Sequence, residues 1–138
     1  MSEPVRKIAL HVILPLITGL TIYFIARPDT WLVQKLLPFH FSFIEKNWDI
    51  LSAGWFTKLV VFSGPDFCWN YSITSALLFW KSFSAVKNRY FPVFIFILVL
   101  MQEFIQLLFP GYFTFDILDI VAAVMAFLLS LFLNRKYV

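Results

Sequence analysis

The sequence is poor in the residues from which most soluble folds and most active sites are built. It has one cysteine, Cys68, so no disulfide closes within the chain and no multi-cysteine metal site exists. Its two histidines, His11 and His40, are far apart and form no pair at metal-ligand spacing. Glycine is scarce, with four residues in 138, and there is no glycine-rich phosphate-binding loop. Charge is scarce too: only 14% of residues are Asp, Glu, Lys or Arg. The cations sit at segment ends and not along a stripe, which argues against nucleic acid as a partner.

Apolar residues fill the space left by these absences. The hydrophobic fraction is 61% and the aromatic fraction 20%, with 18 Phe, and mean hydropathy is +0.83. A soluble domain of this length cannot hide so much apolar surface, because small domains bury too little of their chain. The composition therefore predicts one all-α domain, residues 1–138, that is a polytopic membrane protein with membrane lipids as its solvent.

Four stretches are long and apolar enough to be read as spans, given a requirement of about 20 residues. They are residues 8–26, 67–83, 91–109 and 114–133. The first follows Arg6 and Lys7, as a signal peptide would, but Arg27 and Pro28 follow it in place of a small-residue cleavage site. It reads as a retained helix, with Pro15 as a candidate kink. Four spans put both termini on one side. That side carries Arg6, Lys7, Lys81, Lys87, Arg89, Arg135 and Lys136, against Glu3 alone. Arg27, Lys35, Lys46 and Lys58 on the other side are balanced by Asp29, Glu45, Asp49 and Asp66. The excess of positive charge places both termini in the cytoplasm.

The outer loop, residues 27–66, is rich in Trp, Phe and Leu, yet neither of its apolar halves reaches spanning length. It is expected to form interfacial helices, with residues 50–62 as a core or re-entrant piece.

Ionisable groups at membrane depth cost roughly 2.5–3.5 kcal/mol on insertion scales and mark bundle interiors or wet cavities. Glu103 and Gln106 share a face of the third segment, with Gln102 beside them. Asp116 and Asp119 have the same spacing on the fourth. At the head of the second, Asp66, Trp69 and Asn70 are read as one face. With a rise of about 1.5 Å per residue, Glu103 lies on the order of 9 Å inside the outer end and Asp119 about 7 Å. The short turn at Pro110-Gly111 makes the third and fourth segments antiparallel neighbours. Asp119, Ala122, Ala123, Ala126 and Ser130 form a small-residue stripe, which points Asp119 into the bundle.

Each group also has a plainer role. Asp116 after Thr114 suits a helix N-terminus, and Ser63 or Asp66 can cap the second segment in the same way. Glu103 and Asp119 are too deep to cap, and their plain alternative is an interhelical hydrogen bond to Gln106 or Asn70. His11 is read as a packing or interfacial residue.

The stretch Gln102-Glu103-x-x-Gln106, Pro110-Gly111, Thr114-Phe115-Asp116-x-x-Asp119 resembles the signature of VanZ-like proteins, a family of small membrane proteins associated with teicoplanin resistance. Pro65-Asp66-x-x-Trp69 is similar to a motif in some of its members. The match covers residues 63–130. Ala123 and Ala126 stand where members often carry Asn and Gly, and Tyr112-Phe113 where an Arg is common. The resemblance implies a multi-pass protein of the bacterial cytoplasmic membrane with Asp66, Glu103, Gln106, Asp116 and Asp119 as its functional residues. It brings a cellular theme and no reaction.

The first functional reading is an envelope protein whose acidic outer-leaflet pocket, with Asn70 and Trp69 at its edge, takes a polar or cationic part of a glycopeptide or lipid-linked precursor. The second is a non-catalytic subunit with protein partners in the membrane. The third is an enzyme on lipid-linked substrates, with Glu103 as acid and Asp119 as base. The absence of a nucleophile–base pair weighs against that third reading and favours a protein that is not an enzyme, without cofactor or metal. Proton transport reads as weaker still, since the inner half offers little beyond His11.

Overall fold

The computed structural model describes residues 3–26, 54–83, 90–108 and 116–137, and among these it contains four helices and no strand. The first helix, α1, is built of Glu3–Ile8, a π-helical turn at Ala9–Ile13, and Leu14–Ala26. The others are α2 (Trp55–Phe83), α3 (Phe91–Leu108) and α4 (Ile117–Leu133), followed by a 3₁₀ turn at Arg135–Tyr137. Residues 27–53 of the long loop, where interfacial helices are expected, the Pro110-Gly111 turn and Thr114 lie outside the described residues, whereas residues 55–62, expected as a core or re-entrant piece, form the first part of the long helix α2.

The π-helical turn stands just before Pro15. Proline has no N–H to return to the carbonyl of residue 11, so the regular ladder is already broken there. The chain widens, and the Leu14 N–H reaches back to the Ala9 carbonyl. This wide turn carries His11. Such turns occur mostly where a helix is shaped for a purpose.

Helix α2 differs most from expectation. It begins at Trp55 and not near residue 67, and it runs for 29 residues straight through Ser63-Gly64-Pro65-Asp66. The Gly-Pro step reads locally as a turn. Here it is held helical by α1, because Gly19 lies against it: a Cβ on Gly19 would stand 2.8 Å from Cys68 Cβ and 3.2 Å from the Pro65 carbonyl oxygen. Membrane helices tolerate proline when neighbours take up the freed backbone. Ser63 and Asp66 are therefore inside a helix, and neither caps one.

Helix α2 is the hub, packed by α1, α3 and α4. His11 meets Tyr71 and Phe79, while Gly19 and Ile22 lie over residues 64–68, so α1 and α2 run antiparallel. Trp80 meets Phe91 at 6.0 Å between ring centroids, and Phe96 meets Phe127 at 4.8 Å. The start of α3 thus touches the ends of both α2 and α4, which makes α3 antiparallel to each and α2 parallel to α4. Both described chain ends share one end of the bundle: the 3₁₀ turn packs on α2, and Glu3 feels the charge of Lys136. Arg6, Lys7, Lys81, Arg135 and Lys136 gather there, and Glu3 bonds Lys7 at 2.7 Å. Asp66, Asp116 and Asp119 lie toward the other end.

The apolar core is small. Leu78, Phe91, Ile95, Val99, Ala123 and Phe127 form it. Much of the remaining interior is polar: Ser63, Asn70, Ser72, Thr74, Ser75, Asp119, Ser130 and Asn134 are all buried. The outside is lined by exposed Ile, Leu, Phe, Val and Trp on every helix. Among the described residues, only the stretch Glu3–Ile25 meets the length and hydropathy of a membrane-crossing helix, with α4 and the first part of α3 apolar but shorter.

Candidate functional site

The expected acidic site is traced from α4 outward. Asp116 is the N-cap of α4: its backbone is extended, and its Oδ1 accepts a hydrogen bond from the Leu118 N–H at 3.0 Å. The helix starts at Ile117, so Asp116 is the capping residue itself and is exposed. One turn on, Asp119 is 8% exposed and turned inward. Behind it follow Ala123, Ala126 and Ser130, each fully buried. The small-residue stripe therefore faces into the bundle as expected, with Ser130 against Ser75 of α2 and Ala122 at its half-buried edge.

On α2, Asn70 is fully buried and Trp69 is 47% exposed, so these neighbours do not share a face. Successive residues on a helix are about 100° apart, and packing selects only one of the two. Asp66 is half-buried, and its carbonyl accepts a hydrogen bond from Asn70 Nδ2 at 2.9 Å. Ser75 bonds Ser130 across parallel helices, and Asp119 precedes Ser130 by as many residues as Gly64 precedes Ser75. Asp119 thus lies level with the stretch from Ser63 to Asp66. The backbone of α3 runs through Glu103 and Gln106 toward this same end, but their side chains lie outside the described residues.

Three buried atoms on α2 have no hydrogen-bond partner: Ser63 Oγ, Asn70 Oδ1 and Thr74 Oγ1. Their spacing of seven and four residues puts them on one helix face. The contrast with Ser72 is local, since its hydroxyl donates to the Cys68 carbonyl at 2.8 Å and is satisfied. An unpaired polar group away from water costs about 1–3 kcal/mol.

A second polar group occupies the basic end, where the sequence offered little beyond His11. His11 Nδ1 and the Tyr71 hydroxyl share a hydrogen bond of 2.6 Å. The Tyr71 hydroxyl is also within reach of Ser75 and Asn134. Ser75 and Ser130 are bonded at 2.9 Å, and Asn134 Nδ2 donates to the Ser130 carbonyl at 3.0 Å and to Ser75 Oγ at 3.3 Å. Ser75, Ser130 and Asn134 are buried. Five side chains from α1, α2 and the end of α4 thus form one connected group. Tyr71, Ser75 and Asn134 went unread as site residues because none is charged and each looks like ordinary helix content. One signal was available: Ser130 and Asn134 are four residues apart and continue the stripe that starts at Asp119.

Among the described residues no three His, Cys, Asp or Glu side chains gather as a metal site. Comparison with known proteins yields no match: neither a family model, nor a curated protein, nor a solved structure aligns with the chain.

Proposed function

We propose that the chain is a multi-pass membrane protein of the bacterial envelope, VanZ-like in character, with both termini in the cytoplasm. In this reading the acidic end of its interior receives a polar or cationic part of an envelope ligand, a glycopeptide or a lipid-linked precursor. The observation that carries it is the burial of Asp119, at 8% exposure, inside a bundle whose outer surface is apolar. A carboxylate held in such surroundings attracts cationic and hydrogen-donating groups more strongly than one in water. Asn70 and Ser63, buried and incompletely bonded, lie on the adjoining stretch of α2. The inverted distribution of polarity supports the membrane reading, since lipid accepts an apolar exterior that water does not.

The test is a pair of substitutions, Asp119→Asn and Glu103→Gln. Both should abolish a teicoplanin-resistance or envelope phenotype while protein levels in the membrane stay unchanged. Retention of the phenotype in both variants contradicts the reading.

The subunit reading is weakened by one observation. Of the features that suggest it, small size, an aromatic-rich outer loop and the small-residue stripe, the stripe is used within the chain, where Ala123, Ala126 and Ser130 are covered.

A further inference from the structure

We propose that the basic end of the bundle holds an anionic phospholipid, with its phosphate between Arg6 of α1 and Arg135 and Lys136 beyond α4. The inference rests on the membrane-spanning reading above and not on the acidic end or its ligand.

The register of the helices brings these cations to one depth. Ser75 bonds Ser130 across the parallel pair α2 and α4, and Asn134 also reaches Ser75. Arg135 and Lys136 follow directly, so they stand level with Trp80 and Lys81 of α2. On the antiparallel side, His11 lies between Tyr71 and Phe79, and Gly19 lies against Pro65 and Cys68. The same register carried back along α1 puts Lys7 level with Phe79 and Arg6 level with Trp80. Three parts of the chain, remote in sequence, thus present Arg6, Lys7, Lys81, Arg135 and Lys136 within about 3 Å of one depth.

Little acid offsets this charge. Among the described residues, Glu3 is the one carboxylate at this end, and it bonds Lys7 at 2.7 Å. Asp66, the next along α2, is on the order of 20 Å away. Arg6, Arg135 and Lys136 are exposed. Orientation in a bilayer needs positive flanks anywhere on the inner side. It does not need them gathered at a single depth.

That depth is the one a lipid phosphate occupies. By the same register Asp116, the cap of α4, stands level with Val61. The cations and the cap are then about 28 Å apart, against a hydrocarbon core of roughly 30 Å. The cations therefore lie where the phosphates of one leaflet begin. Arginine offers a planar fork of donors that meets phosphate oxygens in pairs, and lysine adds a point charge. About one turn further in, exposed Leu10 and Phe132 give acyl chains an apolar bed. A zwitterionic headgroup brings a cation of its own, which this end repels, so the fit is to a lipid of net negative charge.

The experiment titrates the full chain, in a neutral detergent, with phosphatidylglycerol or phosphatidylcholine and counts bound lipid by native mass spectrometry. Wild-type protein should retain phosphatidylglycerol in preference to phosphatidylcholine. Arg6→Gln and Lys136→Gln should each weaken that binding roughly fivefold, and the double variant about 25-fold. Both side chains are exposed, so the variants should melt as wild type does. Lys58→Gln removes the same charge at the opposite end and should bind as wild type. Absence of a preference in the wild type overturns the proposal, and so does Lys58→Gln weakening binding as much as the double variant. Soluble glycerol phosphate is the competitor that separates a lipid from a free phosphate compound. It should not displace the lipid at equal concentration, and displacement overturns the lipid assignment. Alkaline washing of membranes followed by flotation tests the reading beneath. Protein that stays with the bilayer without preferring phosphatidylglycerol overturns the lipid site alone, and protein that is stripped off overturns the membrane reading.

Discussion

At the scale of single residues, burial separates side chains that the sequence pattern had grouped. Asp116 and Asp119 share a motif and a helical spacing, yet one caps α4 in the open and the other is turned inward. The difference is testable because a cap needs only a side-chain oxygen. Asp116→Ala should cost about 0.5–2 kcal/mol of stability, and Asp116→Ser should restore most of it. Thermal unfolding in detergent measures this. A resistance or envelope phenotype that survives Asp116→Ser identifies Asp116 as structural, and its loss in a stable Asp116→Ser protein marks a ligand role. The contact between Ser75 and Ser130 is modest in the same currency. A double-mutant cycle with Ser75→Ala and Ser130→Ala should give a coupling of about 0.6 kcal/mol, with about 1.7 kcal/mol as the upper end.

Among elements, close approach of backbones explains where local reading succeeded and where it failed. Helix α3 spans Phe91–Leu108 against an expected 91–109, because the apolar run from Phe91 to Met101 leaves little choice. The inward face of α4 was legible from the spacing of its small residues. The start of α2 was not, since Gly64-Pro65 carries a turn signal that only the contact with α1 overrides. That contact depends on Gly19. Gly19→Ala should destabilise the bundle by about 1–3 kcal/mol, because the new methyl group meets Cys68 Cβ and the Pro65 carbonyl and neither is a flexible chain end. Gly64→Ala is the opposite case. Its Cβ would meet Ile22 and Val60 at 3.7 and 3.8 Å, which is ordinary contact. It should be neutral or stabilise by up to about 1 kcal/mol through helix propensity. The ordering of the two midpoints in a detergent melt checks the packing of α1 on α2, and a reversed order contradicts it.

On the scale of the whole molecule, the distribution of polarity is the main result. Core apolar residues come chiefly from α3 and the facing sides of α2 and α4, while α2 carries a buried polar lane from Ser63 to Ser75. Individual charged residues of the candidate site could be picked from the sequence, because isolated acids in apolar helices stand out. The connected group of His11, Tyr71, Ser75, Ser130 and Asn134 could not, because it joins α1 to residues about 60 positions away and only folding brings them together. Among the described residues, the Lys and Arg side chains other than Lys58 gather where the chain ends meet, and Asp66, Asp116 and Asp119 lie toward the opposite end. In a bilayer this asymmetry sets the orientation.

The most direct test of this account is thiol accessibility from the two sides of the membrane. In a Cys68→Ala background, Trp55→Cys and Arg135→Cys place single thiols at opposite ends of the bundle. With a membrane-impermeant maleimide, Trp55→Cys should label in intact bacteria, and Arg135→Cys only in inverted membrane vesicles. Labelling of both thiols from the same side, or release of the protein into the soluble fraction, contradicts the account.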